Sequence, residues 1–249
     1  MRFIKALSQL NRLPEIGLCR AATRQWLKLT ACYVGLPVKF PFDIQLQTGK
    51  FQFSTLADVR TFWCVFFSNI YTVKRTDKLL VDAGANIGTF TLYALLKAPE
   101  SHVIAIEPAP DTCKRLRDVL HEHGLNSRCT IHEAALGSQI GTTTIDLKPE
   151  SQFRSTGHGS GVQIPMVTLD HIVPDSSIDM VKLDVEGAEY IIITGGAANC
   201  LRRVKRMTME FHPNGSIQDL LGPLAHKGLS CTSIRDDGGA YGIASFEQA

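Results

Sequence analysis

No Cys-x-x-Cys pair occurs in this sequence, although it holds seven cysteines. They stand singly at 19, 32, 64, 113, 129, 200 and 231. An odd, scattered set argues against a disulfide framework or a zinc knuckle and fits a reducing compartment. A long hydrophobic run is missing too. The densest apolar stretch, Phe62 to Val73, is interrupted by Ser68 and Asn69 and falls well short of a membrane span. The opening MRFIKALSQL is basic but lacks the continuous apolar core of a secretory leader, so the expectation is a cytoplasmic, soluble protein. Charge of one sign is in small surplus: 26 basic side chains face 24 acidic ones, a formal +2. No global field advertises a polyanionic partner. Neither a G-x-x-x-x-G-K-[ST] phosphate loop nor the G-x-G-x-x-G of dinucleotide folds is present.

What is there supports a folded core. Apolar residues make up 44% of the chain and charged ones 20%, close to ordinary globular usage. Residues 1–77 read as a helical extension with a small hairpin. Ile4, Leu7 and Leu10 recur at helical spacing, as do Trp26, Leu27 and Leu29, and residues 42–53 alternate around Thr48-Gly49. Arg2, Lys5, Arg12, Arg20, Arg24 and Lys28 make these helices basic, which leaves peripheral membrane contact open beside plain packing.

Residues 78–249 form the second expected domain. Strand-like Leu79–Asp82, His102–Glu107 and Cys129–Ala135 alternate with helical 90–97 and 111–123, the latter stopping at Gly124. Such alternation signals a parallel sheet with crossover helices. Strand-like 142–147 and 162–168 flank the loop SQFRSTGHGSG, which reads equally as a substrate lid, with Arg154 or His158 at the acceptor, or as a plain hairpin tip. Asp179–Val185, a helix over 187–194 and strand-like Val204–Phe211 follow. A helix over 216–226 and an antiparallel pair, 230–234 with 241–246, close the chain.

The stretch KLLVDAGANIGTF, residues 78–90, places Asp82, Gly84, Asn86 and Gly88 where a buried strand gives way to a helix. In a doubly wound sheet ligands bind at the carboxyl ends of the strands. Glycines there allow close backbone approach, and the following helix aims its N–H groups at the crevice. Glu107 ends the next strand, where an acid accepts both hydroxyls of an adenosine ribose. Pro108 follows it, and Glu133 and Ala134 sit at the end of the third strand, completing the expected slot. Asp82 would repel a phosphate but suits an ammonium group. S-adenosyl-L-methionine carries an ammonium, a sulfonium and a ribose, and no phosphate. A turn shaped by glycines for its own sake is the plainer alternative.

The order VDAGANIGTFTL, VIAIEPAPDTCKRL, EAALG, VTLDHI, IDMVKLDVEGAEYIIITGG and MTMEFHP resembles the FkbM family of S-adenosylmethionine-dependent methyltransferases over about residues 78–213. The K-x-D-V-E-G-x-E block at 182–189 is its most distinctive piece. The resemblance implies a class I methyltransferase (Rossmann-like) α/β fold, a doubly wound, mostly parallel sheet with an antiparallel closing pair. It also implies O-methylation of a small hydroxylated acceptor such as a sugar, a glycolipid or a polyketide-like metabolite.

Methyl transfer to oxygen requires an aligned acceptor and a route for its proton. Lys182 and Asp184 share a strand face by period two, as do Glu210 and His212 on the next strand. Glu186 opens the turn after Asp184, and Glu189 lies one helical turn on. Asp184, Glu210 and His212 are therefore the candidate catalytic residues. The preferred reading makes neutral His212 the general base. A divalent metal held by two or more of these groups is a less favoured reading, and no metal ligand is assigned. In a third reading Glu186 or Glu189 caps the helix and His212 is simply a hydrogen-bonded histidine.

Two rival activities are weighed. Nucleic-acid methylation lacks support: there is no Asn/Asp-Pro-Pro-aromatic strand end and no Pro-Cys nucleophile, and the charge is near neutral. An NAD-linked oxidoreductase fits the alternation and Glu107 but not the glycine loop. The basic run Arg202, Arg203, Lys205 and Arg206 reads as a solvated edge, or else as a contact for an anionic acceptor. His121, His123 and His132 read as surface or core residues.

Overall fold

A computed structural model of the chain describes residues 13–145, 161–236 and 241–249. It divides into two compact units, one drawn from residues 1–72 with 118–125 and the other from 73–117 with 126–249.

In the first unit, helices α1 (Leu13–Ala22) and α2 (Trp26–Tyr33) precede a hairpin of β1 (Phe42–Gln45) and β2 (Lys50–Phe53) and then helix α3 (Leu56–Phe67). The hairpin alternates strictly: Phe42, Ile44, Phe51 and Phe53 are buried, and Ile44 pairs with Phe51. Period two thus turns one face onto the aromatic side of α3, where Phe62 meets both Phe51 and Phe53 at ring centroids of 4.9 and 5.3 Å. Thr55 starts α3 with a full capping box, its hydroxyl taking the Asp58 N–H while Asp58 returns to the Thr55 N–H. Two of the basic side chains over this region lie on aromatic rings: Arg20 on Trp26 at 5.9 Å and Lys28 on Phe42 at 4.6 Å. Ile4, Leu7 and Leu10, with Arg2, Lys5 and Arg12, lie outside the described residues. No described helix is long and apolar enough to cross a membrane.

The second unit is built on strand β3 (Leu79–Ala83), helix α4 (Thr89–Lys97), β4 (His102–Ile106), the first part, to residue 117, of helix α5 (Pro110–Glu122), and β5 (Cys129–His132). There follow β6 (Ala135–Leu136), β7 (Gly141–Ile145), β8 (Val162–Val167) and the short helix α6 (Leu169–Ile172). The remainder is β9 (Met180–Leu183), α7 (Glu189–Thr194), β10 (Arg206–Phe211), α8 (Ile217–Ala225), β11 (Leu229–Asp236) and β12 (Gly242–Gln248). Seven strands make one sheet in the order β11-β12-β10-β9-β3-β4-β5. The pairs from β10 through β5 are parallel; β12 is antiparallel to both β10 and β11. The core strands are apolar almost throughout, as strands covered on both faces must be.

One expected strand divides. The run expected over Cys129–Ala135 breaks at Glu133 and Ala134, because Ala135 and Leu136 leave the main sheet to pair in parallel with Met166 and Val167 in a three-stranded sheet, β6-β8-β7. The candidate lid falls mostly on residues 146–160, and the expected Asp237-Gly238-Gly239 turn on 237–240; both lie outside the described residues. The basic run is a solvated edge at Arg202 and Lys205, half-buried at Arg203 and buried only at Arg206. Arg202 donates to the His226 carbonyl, Arg203 pairs with Asp175, Lys205 with Asp179, and Arg206 with Asp77 in a buried contact of 2.6 Å. His123 is fixed between Thr48 and the Lys50 carbonyl.

Candidate active site

From β3 the parallel strands β4 and β5 are added on one side and β9 and β10 on the other, so the strand order reverses between β3 and β9. A crevice is expected beyond the carboxyl ends at such a reversal. A cleft opens there, lined by Gly84, Asn86, Ile106, Glu107, Pro108, Ala134, Ala135, Leu136, Asp184, Val185, Glu186 and Ala188. Five of the expected slot residues, Gly84, Asn86, Glu107, Pro108 and Ala134, are on its wall. Asp82, Gly88 and Glu133 are not.

Each of those three has another occupation. Asp82 is fully buried. Its Oδ2 accepts from the Thr91 hydroxyl at 2.6 Å, and its Oδ1 lies 3.3 Å from Lys182 Nζ. The ammonium that Asp82 was expected to meet is therefore supplied by the protein itself. Gly88, with φ +84°, caps α4, and a Cβ there would lie 2.3 Å from Leu116 Cδ1, so this glycine makes room for α5. Glu133 points away to a half-exposed pair with Arg117 at 2.7 Å.

Gly84 has a double duty. Its φ is +80°, and a Cβ on it would fall 1.7 Å from the Asp184 carbonyl oxygen. The loop after β3 thus crosses the end of β9 at backbone contact while also lining the cleft. Asn86 holds φ +49°, with its side chain accepting from the Ile87 N–H at 2.8 Å. Its own N–H donates to Glu107 Oε2 at 2.9 Å, and the Ala109 N–H donates to Glu107 Oε1 at 3.0 Å. Glu107 therefore ties the loops after β3 and β4 together from a nearly buried position on the cleft wall.

Lys182 organises the β9 end. Its ammonium donates to the Gly84 carbonyl at 2.8 Å and stands 3.3 Å from both Asp82 and Asp184. The positioning part of Lys182 was not legible beforehand, although the period-two pairing of Lys182 with Asp184 marked the two as neighbours. Beyond Asp184 the chain turns through Glu186 at φ +53° and Gly187 at φ +101°. Glu189 closes this turn: its Oε1 accepts from the N–H groups of Val185 and Gly187 at 3.0 and 3.3 Å.

The structure brings Asp184, Glu210 and His212 together, with ligating atoms within 4.8 Å of one another. It also gives His212 a carboxylate partner on each ring nitrogen. His212 Nδ1 is 3.0 Å from Glu189 Oε1 and Nε2 is 3.3 Å from Glu186 Oε2. Burial opposes a charge on the ring, but the hydrogen bonds to Glu186 and Glu189 outweigh it and raise the pKa to about 10. At neutral pH this is an imidazolium with both N–H groups engaged, and it has no lone pair with which to take a proton. His212 is hydrogen-bonded, as the third reading has it, but Glu189 does not cap the helix: α7 starts without a side-chain cap, and Glu189 accepts instead from the turn before it. Glu210 differs: burial and the adjacent Asp184 carboxylate push its carboxyl up to about 7, against the pull of Lys182 and His212.

The family model described as "Methyltransferase FkbM domain" matches residues 82–229, more than half of the chain. The chain belongs to this family. Among FkbM-type relatives, the hexuronic acid methyltransferase AglP of Haloferax volcanii is 27% identical over 161 residues, covering 62% of this chain and 64% of that protein. The 31-O-demethyl-FK506 methyltransferase FkbM of Streptomyces tacrolimicus is 22% identical over 200 residues, covering 65% of this chain and 76% of that protein. The chain spans only 64% of the length of curated relatives from Haloferax volcanii and from Beauveria bassiana, the latter called Methyltransferase 1. A crystal structure of a methyltransferase FkbM from Methylobacillus flagellatus superposes with a TM-score of 0.55 at 16% identity, over 96% of this chain and 60% of that one. The fold is the Rossmann-like one of class I methyltransferases, with its sheet reversal and antiparallel penultimate strand in place.

Proposed function

We propose that this chain binds S-adenosyl-L-methionine and transfers its methyl group to a hydroxyl oxygen of a sugar-like or polyketide-like small molecule. The observation that carries the reading is Glu107 on the wall of a cleft at the sheet reversal, in a chain of the FkbM family. The residues present suit the cofactor. Glu107 stands at the carboxyl end of β4, beside the loops whose Asn86 and Ala109 N–H groups it accepts, where an acid accepts the hydroxyls of an adenosine ribose. Ile106, Pro108, Ala134, Ala135 and Leu136 give an apolar wall for a base ring. Asp184 and Glu186, rather than the buried Asp82, offer negative charge to a cationic end. When bound, the cofactor supplies an electrophilic methyl on a good leaving group. The chain's own part is to hold an acceptor in line, exclude water and remove a proton. The names of the Haloferax and Streptomyces relatives favour a sugar acid or a macrocycle hydroxyl as the kind of acceptor.

The test has two arms. Calorimetry with S-adenosylhomocysteine and with NAD should give micromolar binding, about −8 kcal/mol, for the first alone. Tritiated methyl should then pass from the cofactor to a hydroxyl within a panel of neutral pyranosides, uronic acids and macrolides. Tight NAD binding with no response to S-adenosylhomocysteine would sink the reading, as would label found only in nuclease-sensitive RNA or DNA.

A further inference from the structure

We propose that Glu210, and not His212, takes the proton from the acceptor hydroxyl. The inference rests on the methyl-transfer reading above and supplies the base that the reading requires. It starts from a contrast between two residues on one strand. Glu210 and His212 share a face of the β10 end by period two. His212 has spent both ring nitrogens on carboxylates, Glu189 at 3.0 Å and Glu186 at 3.3 Å. No described side chain hydrogen-bonds or ion-pairs with the Glu210 carboxyl; its neighbours act on it only through their charge. An oxygen of that carboxyl lies within 4.8 Å of Asp184, which is on the cleft wall. Of the three converging groups, Asp184 is tied to Lys182 at 3.3 Å and His212 to two glutamates. Glu210 alone of the three has no ion-pair or hydrogen-bond partner among the described side chains.

The surroundings set its proton affinity. Asp184 and Glu186 from the turn after β9 are the like charges around it. Lys182 on β9 and the His212 imidazolium on its own strand are the opposing ones. Burial and the like charges prevail, which places the carboxyl near 7, where a general base works best at neutral pH. An ordinary exposed glutamate is a far weaker base. In the step, the acceptor O–H bond breaks and its proton moves to a Glu210 oxygen. The oxygen electron pair forms the new bond to the methyl carbon, and the carbon–sulfur pair leaves with the sulfur. Glu210 then returns the proton to water. The imidazolium of His212 has a positioning part, holding Glu186 and Glu189 so that the turn beside Asp184 keeps its shape.

The experiment reads protonation and turnover separately. The full chain, labelled with ¹³C and ¹⁵N, is followed by NMR between pH 5 and 9, with His212→Gln and Glu210→Gln used for assignment. Both His212 nitrogens should stay protonated beyond pH 8, and the Glu210 side-chain carboxyl should titrate near neutral pH. A His212 ring with an unprotonated nitrogen at pH 7.5 overturns the proposal. In the methyl-transfer assay, Glu210→Gln should lower kcat by about 10²–10⁴-fold while S-adenosylhomocysteine affinity stays within about twofold, and Glu210→Asp should recover part of the rate. Full turnover in Glu210→Gln overturns the proposal whatever the spectra show. Loss of cofactor binding in the unaltered protein would count against the methyl-transfer reading instead, and the two titrations would still decide which group is the open base.

Discussion

The carbonyl oxygen of Asp184 occupies the place where a side chain on Gly84 would begin, 1.7 Å from an ideal Cβ. The loop that lines the cleft and the strand end that carries an acid into it therefore meet backbone to backbone. Gly84→Ala forces both a left-handed backbone onto alanine and a collision with main chain that no rotamer can relieve. The expected loss is about 2–5 kcal/mol of unfolding free energy by urea titration. An alanine variant of unchanged stability would mean that the two segments do not cross as described.

Lys182 and Asp82 form a nearly sealed pair, with side chains 7% and 0% exposed. Removing one partner of such a pair leaves a buried charge and costs about 3–5 kcal/mol, whereas removing both costs far less. Lys182→Met should therefore be strongly destabilised, and adding Asp82→Asn should restore part of the loss. If the double variant is no better than Lys182→Met alone, the pair is not the reason for the lysine.

Glu107→Gln keeps the side chain's size and one acceptor oxygen but loses its charge. Charge-assisted bonds to ribose hydroxyls contribute about 1.5–3 kcal/mol, so calorimetry should show S-adenosylhomocysteine bound roughly 10- to 150-fold more weakly. Because Glu107 also holds the Asn86 and Ala109 N–H groups, some stability should go with it. Unchanged affinity would place the ribose elsewhere.

His212 links stability to pH. Its pKa rises from 6.5 to about 10 on folding, because its bonds to Glu186 and Glu189 outweigh the burial that opposes them. Its contribution is full below about pH 6.5 and is lost as pH rises through about 10. The stability gap between the unaltered protein and His212→Gln should be widest at pH 6 and shrink toward pH 10. A gap that grows with pH would refute the imidazolium.

Glu210 should show a gain instead. Burial and Asp184 raise its pKa from 4.5 to about 7, so the preference for the folded state is full below about pH 4.5 and lost through about pH 7. Glu210→Gln mimics the protonated form. Relative to the unaltered protein it should be more stable at pH 8 than at pH 4.5, by thermal denaturation. Equal stability at both would show that the carboxyl carries no such strain.

The parallel core was legible because short apolar runs, Leu79–Val81 and Val103–Ile106, alternate with helical stretches, the pattern of strands joined by crossover helices. Strand ends were harder. Nothing local to Glu133 says that Ala135 and Leu136 will leave the main sheet, since their partners, Met166 and Val167, lie far along the chain. The site divides in the same way. Periodicity placed Glu210 and His212 on one face and Asp184 beside Lys182. It says which side a group faces, not which charge meets it there. Asp82 was expected at the ligand because no spacing shows Lys182 reaching across to it. The carboxylate partners of His212 were hidden for a related reason. Glu186 and Glu189 arrive from a turn bent by Glu186 and Gly187 at positive φ, a shape invisible to period counting.

The position of β12 has a consequence for the order of assembly. It follows β11 in the chain yet lies between β11 and β10, so β11 touches the sheet only through it. Until β12 emerges and pairs, β10 is an open edge, and the carboxyl end bearing Glu210 and His212 lacks its neighbours Ile243 and Gly242. The nascent chain therefore exposes a long unpaired strand beside a half-built cleft, the kind of edge that invites association with other chains. One pairing, β12 on β10, both covers the sheet edge and flanks the strand end that carries Glu210.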